Sequence, residues 1–469
     1  MNRPGPSGAS VRDAARSFLS SYGMAVVLLL LCVYYSFATL QTIQPEGDAA
    51  AATVVSQIGG SVAKGSPVLI VGTVSDQDKQ FASGMEQRLK SAGYTVAGTV
   101  LGDPGTVRRA LTDAQQNGTH LGAIATTPAC SSWIVLQDLA TKYPGLSQTH
   151  IYYGKSYRWP LFLQTENLFN IANQTVVVAV IAIGMTLVII TGGIDLSVGS
   201  LVALAAVVAT MMIRRYGGAG ASNAVMTGSC LAAIGLCAAT GLLSGVTITT
   251  FRLPPFIATL GVMQIASGLA FMMSRGTSIY DVPDRFTTLG RGTGFLGIPY
   301  AVMMMVVLYV IAHFVMTRTK LGRYIYAVGG NAEAARLSGV RVSPIILLVY
   351  TLSGAVAGLG GVVLASQLKS GAPTYGVSYE LYVIAAVVVG GTSLASGQGK
   401  IFGTLIGAFI IAVIQNGMNL TGVETYTQRV VLGVVILAAV LLDMLKHREW
   451  RWPKFIEARN TAGSHPVPP

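Results

Sequence analysis

The chain has 469 residues, 52% hydrophobic and only 11% charged, with a mean hydropathy of +0.59. A charged share below half the roughly 25% of ordinary soluble domains excludes a soluble enzyme as the whole chain. The formal charge of +12 is uneven: residues 41–168 hold as many acids as bases, and the excess lies between and beyond long uncharged runs, which leaves no basic patch for nucleic acid.

A basic N-terminus leads into a first apolar run, residues 24–43, which is longer than the apolar core of a cleaved signal peptide and predicts an uncleaved signal-anchor span. Residues 44–166 then have ordinary globular composition. Short β-rich runs at 67–72, 94–101, 121–126 and 150–153 alternate with helical patterns at 78–92, 104–116 and 131–142, and Asp103-Pro104 caps the second helix. That alternation predicts a parallel α/β domain. Cys32, Cys230 and Cys237 fall in apolar runs and Cys130 is alone in this domain, so no disulfide framework is expected.

Nine more apolar runs follow, at 168–191, 196–213, 225–246, 256–274, 296–316, 344–365, 381–392, 401–418 and 430–444. Crossing a hydrocarbon core of about 30 Å takes about 20 helical residues. The run at 381–392 is short and ends in Gly390 and Gly391, which suits a half-helix buried among neighbours. The fold class predicted is an α-helical polytopic membrane protein of about ten transmembrane helices, with an α/β soluble domain inserted after the first. Its domains are 1–43 (cytoplasmic N-terminus and first helix), 44–166 (extracytoplasmic), 167–446 (membrane domain) and 447–469 (cytoplasmic tail). Bases in the short loops favour both termini in the cytoplasm, with Arg214 and Arg215 as the clear violation on the far side.

Catalytic signatures are missing from the sequence. Ser396-Gly-Gln-Gly-Lys-Ile401 lacks the leading Gly and the hydroxyl of a phosphate-binding loop, so ATP hydrolysis falls to a partner. The five histidines are scattered without metal-ligand spacing, no nucleophile elbow with a credible triad is present, and no cofactor or metal is expected.

What remains is a polar minority within the apolar runs. Asp195 and Ser197, in Thr191-Gly-Gly-Ile-Asp-Leu-Ser-Val-Gly-Ser200, can cap a helix starting at Val198 or serve the transport route. Asn167, Asn170, Asn173 and Gln174 form one amide face, and Gln264, Asn416 and Asn419 add further neutral amides. Such groups suit uncharged polyhydroxylated solutes, and equally suit helix-to-helix bonding. The candidate pathway is Asn173, Gln174, Asp195, Ser197, Gln264 and Asn416. Few ionisable groups lie within the runs, which argues against an ion-coupled carrier. The basic loop 317–343 contains a turn and a short helix from Asn331 to a stop at Gly339, a plausible plug for another protein's groove.

Gly193-Ile-Asp-Leu-Ser-Val-Gly199, Ile257-Ala-Thr-Leu-Gly261, residues 322–336 with Ser338-Gly339, and Val389-Gly-Gly-Thr-Ser393 together resemble the ribose-type sugar ABC permeases, over about residues 167–448. The resemblance implies a bacterial inner-membrane permease subunit importing a monosaccharide or polyol. It further implies a second permease, a cytoplasmic ABC ATPase and a periplasmic sugar-binding protein as partners, with the lipid bilayer around it. By the same resemblance Gly330, Asn331, Glu333, Arg336 and Ser338 belong to the coupling helix that docks in the ATPase. The chain departs from the family at residues 41–166, where such permeases usually have a short loop. That segment faintly resembles, over 68–128, one lobe of type I periplasmic sugar-binding proteins, and a structural or docking role is expected for it. The alternatives are a related permease for a branched-chain amino acid or a quorum signal, and a membrane-anchored ligand sensor.

Overall fold

The computed structural model describes residues 11–137, 139–393 and 397–447; the extreme N-terminus and the tail predicted to lie in the cytoplasm fall outside the described residues. Two compact units emerge, residues 40–161 and the remainder.

Helix α1 (Val11–Ala38) begins the larger unit. The first apolar run was expected to continue as helix to residue 43, but Leu40–Ile43 is strand β1, because its backbone pairs with a later strand. In the smaller unit α2 (Gly47–Ser61), β2 (Pro67–Gly72), α3 (Asp76–Ser91), β3 (Thr95–Leu101), α4 (Pro104–Gln116) and β4 (Ala123–Thr126) follow, then short α5 (Pro128–Ser131) and α6 (Leu139–Lys142), β5 (His150–Tyr153) and β6 (Tyr157–Pro160). The helix expected over 131–142 is therefore two short turns of helix, separated by non-helical residues and by Asp138, which lies outside the described residues. Asp103 does cap α4, its carboxylate accepting from the Thr106 amide at 2.7 Å.

The sheet is parallel in the order β3-β2-β4-β5, while β1 and β6 form a separate antiparallel ribbon. Both faces of β2 are buried, as parallel sheets require. Val68 and Ile70 pack with Val54, Ile58, Phe81 and Met85 of α2 and α3; Leu69 and Val71 pack with Val107 and Leu111 of α4. All four cysteines are free.

The larger unit continues with α7 (Thr165–Ile190), α8 (Val198–Tyr216), α9 (Asn223–Thr250), α10 (Pro255–Ser274), short α11 (Thr288–Arg291), α12 (Tyr300–Arg318), α13 (Lys320–Gly330), α14 (Ala332–Leu337), α15 (Val342–Leu368), α16 (Tyr379–Val389), α17 (Ile401–Leu420) and α18 (Thr425–His447). Among the described residues seven helices (α7, α8, α9, α10, α12, α15 and α17) are long and apolar enough to cross a membrane. The other three of the ten expected spans are shorter apolar stretches, Gly23–Ala38, Tyr379–Val389 and Thr425–Leu441. The core lies where α15 packs against α7, α8 and α9.

The backbone breaks in two places. After α7, residues 191–197 turn back along α15, and Asp195 meets Ser353, eleven residues into that helix and about 16 Å from its start. After α15, residues 369–378 descend along α8 without helix. A Cβ on Gly371 would meet the Ala206 carbonyl of α8 at 2.5 Å, and one on Gly376 the Val202 side chain at 2.9 Å. The eleven residues of α16 span about 16 Å, roughly half a hydrocarbon core. In the preceding non-helical stretch Ser370, Gly371, Ala372, Pro373 and Gly376 are buried, so protein covers this backbone.

Candidate functional site

The second break and the first turns of α8 line a cavity of about 160 Å³. Its polar lining is Ser200 of α8, Gln264 and Ser267 of α10, Tyr375 and Ser378 of the non-helical stretch, and Glu380 in the first turn of α16; Ala203, Met263, Pro373 and Val377 supply apolar walls. The volume is about that of five water molecules, small beside pockets for drug-sized ligands. Hydroxyls, an amide and a carboxylate on apolar walls offer several hydrogen-bond donors and acceptors to this space.

Local sequence makes this arrangement. Gly199 lets the chain close in: a Cβ there would overlap Glu380 Oε2 and stand 2.5 Å from the Gly376 carbonyl oxygen. Ser378 sits in the left-handed region at φ +66°, a conformation that a serine adopts only at a cost of about 1–3 kcal/mol. It turns the chain into α16, whose N-terminal dipole favours Glu380 beside it.

Of the pathway residues predicted from sequence, Gln264 alone lines this cavity. Asp195 is fully occupied next to it: Oδ1 accepts from the Ser197 amide (3.0 Å) and hydroxyl (2.6 Å), and Oδ2 accepts from the Ser353 hydroxyl (2.7 Å). Helix α8 does start at Val198, but Ser197 makes no side-chain cap: its backbone is in the helical region (φ −80°, ψ −14°) rather than the extended one of an N-cap, and its hydroxyl donates to Asp195. These two residues tie the start of α8 to α15. Asn416 exchanges hydrogen bonds with Asn167, at 2.8 and 3.1 Å, and Asn173 donates to the Gly290 carbonyl and accepts from Gln367. The amide face thus acts in helix-to-helix bonding, and Gln174 is exposed away from the cavity. Sequence reasoning missed Ser200, Ser267, Ser378 and Glu380. The legible signal was an acid opening an otherwise apolar run.

The second candidate region is α14. Asn331 Oδ1 accepts from the amides of Glu333 (3.0 Å) and Ala334 (2.9 Å), starting the helix, and Gly339 at φ +86° ends it beyond Ser338. Glu333 and Arg336 pair at 2.5 Å on the exposed face beside Leu337, which is 81% exposed. The preceding α13 is held from below. Gly329 sits against the last carbonyl of α7, where a Cβ would collide with Ile190 O, and the Tyr326 hydroxyl donates to the Gly399 carbonyl at 2.7 Å. Thus α13, which leads directly into α14, touches both the end of α7 and Gly399 just ahead of α17. Gly330 ends α13, and a Cβ there would meet nothing within 4 Å among the described residues.

Residues 167–440 match the family model described as branched-chain amino acid transport system / permease component. The ribose import permease of Escherichia coli is 46% identical over 291 residues, covering 61% of this chain and 88% of that protein. The D-allose transport system permease of the same species is 39% identical over 284 residues (61% and 85%), and the L-arabinose ABC transporter permease of Azospirillum brasilense 38% over 294 residues (62% and 84%). No solved structure matches the chain. With the family model and these relatives covering the helical unit that holds the cavity, the chain belongs to the ABC-transporter permease family that this model describes, in its ribose-type sugar branch.

Proposed function

We propose that this chain is the membrane subunit of an ABC importer that carries a monosaccharide, and that the cavity beside Gly199 is a station on the sugar's route. The observation that carries this reading is the polar lining of that cavity, in a chain 46% identical to a ribose import permease. Glu380, Gln264 and the three serines would exchange the sugar's hydration for protein hydrogen bonds. Asp195, Ser197 and Ser353 would keep α8 and α15 in register while the route opens, and Asn173, Gln174 and Asn416 would flank the route without forming its centre.

Energy comes from a partner ATPase in this reading. Gly330, Asn331, Glu333, Arg336 and Ser338, with Leu337, would seat in that subunit's groove. A push on α14 would pass through Gly329 to the end of α7, and through Tyr326 to Gly399 and α16, which carries Glu380. The topology that fits has ten crossings, the eighth being residues 369–378 plus α16, with both termini in the cytoplasm and residues 44–166 outside. There this unit would dock against a sugar-binding protein or the second permease.

The test is uptake of labelled ribose, allose and arabinose by cells expressing the full transporter. Glu380→Gln should lower uptake at least tenfold at unchanged membrane abundance. Labelled leucine entering instead of any sugar would move the reading to the amino-acid permeases; sugar uptake indifferent to Glu380→Gln would remove the cavity from the route.

A further inference from the structure

A second, larger cavity of about 550 Å³ lies at the other end of α8, lined by Met211, Arg214, Arg215, Met273, Arg275 and Thr277, with Ser274. Three arginines line it from the ends of two membrane-length helices, α8 and α10. Among the described residues the ion pairs join Lys79 to Asp76, Arg88 to Asp48, Arg336 to Glu333 and Lys369 to Asp284, and none engages Arg214, Arg215 or Arg275. Asp281 packs against Gly218, three residues beyond Arg215, yet makes no ion pair with it. Complementing the helix dipole explains a single base in the last turn of α8. It does not account for a third one on a neighbouring helix, nor for a cavity.

We infer that this cavity binds the phosphate-bearing headgroup of an anionic phospholipid. Each helix contributes a methionine on the helix side of its arginines, Met211 three residues before Arg214 and Met273 two before Arg275, so the cavity is apolar on the side of the spans and cationic on the side of the loops. That gradient matches a phospholipid at the membrane boundary, with glycerol and first acyl carbons against Met211 and Met273 and the phosphate under the guanidinium groups. Arginine suits this task because its planar fork offers paired donors to phosphate oxygens. Met272, beside Met273, is 75% exposed, so α10 presents an open face along which a lipid could lie. The site also gives a reason for the bases that break the charge bias of the loops: their place would be fixed by a ligand.

The experiment uses the full-length protein, with retained lipid read by native mass spectrometry and lipid affinity measured in detergent. Phosphatidylglycerol should bind more tightly than phosphatidylcholine, and Arg214→Gln with Arg215→Gln should weaken it by about twenty-fivefold, at about fivefold per charge. The corresponding Arg→Lys pair should keep most of the binding, and the thermal midpoint of both variants in phosphatidylcholine should match the parent. Two results overturn the inference: equal retention of phosphatidylglycerol by the Gln variant, or saturable binding of inorganic phosphate without preference for anionic lipid.

Discussion

Gly199 and Glu380 meet where the chain is broken on both sides, and the carboxylate occupies the space that a side chain at position 199 would need. A methyl group there cannot be absorbed by one flexible neighbour, because the Gly376 carbonyl closes the other side at 2.5 Å. Gly199→Ala should therefore displace α16 from α8 at a cost of about 1–3 kcal/mol. Sugar uptake should fall by tenfold or more while the protein still reaches the membrane; wild-type uptake would mean that the cavity can widen freely.

Ser353→Ala removes one of the three donors to the buried Asp195 carboxylate. An unpaired buried acceptor costs about 1–3 kcal/mol, so the thermal midpoint in detergent should drop. Asp195→Asn should show a smaller loss, since an amide oxygen can still accept from Ser197. A larger loss for the asparagine variant than for Ser353→Ala would contradict the bracing role assigned to the pair.

The Asn167–Asn416 pair is a direct measure of amide bonding between α7 and α17. Alanine at either position and at both gives a double-mutant cycle, with a coupling of about 0.6 kcal/mol expected for bonds of this type in membrane proteins. Uptake should be little changed, and a tenfold fall would return these amides to the sugar's route.

Asn331→Ala leaves two amides of α14 without their acceptor and should destabilise that helix by about 1 kcal/mol. Glu333→Arg with Arg336→Glu keeps the exposed pair but inverts the charge order offered to a partner. Both should reduce sugar-stimulated ATP turnover in the reconstituted transporter, with the purified permease as stable as before for the exchange. Full coupling in the exchanged variant would sink the assignment of α14.

In the smaller unit the Arg88 guanidinium, hydrogen-bonded to Asp48, holds that carboxyl below its ordinary range. A group whose folded pKa is depressed contributes stability that is present above its unfolded value of about 3.9 and is lost as pH falls through the folded value. Asp48→Asn should make the amides of β2 less sensitive to acid, read by hydrogen exchange on the full chain between neutral pH and about pH 3. An identical acid response in the two proteins would show that the pair carries no linkage.

Periodicity located most elements because it reports which faces are apolar. Strand β2, the caps at Asp103 and Asn331 and the starts of α8 and α14 were legible from adjacent residues alone. The helix expected over 131–142 was not, since tertiary packing of Val135, Leu136 and Leu139 beneath the sheet is compatible with a turn as well as with a helix. Strands β1 and β6 escaped notice for a related reason: each exists through a partner more than a hundred residues away.

The sequence by itself determined that this is a polytopic membrane chain with a neutral α/β insertion, and its motifs alone marked the family. Those properties follow from composition and from residues close together in the chain. Only the tertiary structure decided which polar residues face a cavity. Asn416 and Gln264 are both neutral amides in apolar helices, yet one is paired with Asn167 and the other lines open space beside Glu380. Side-chain chemistry was the same in both cases; the difference lies in whether another helix arrives to complete the hydrogen bonds, which depends on packing between segments distant in sequence.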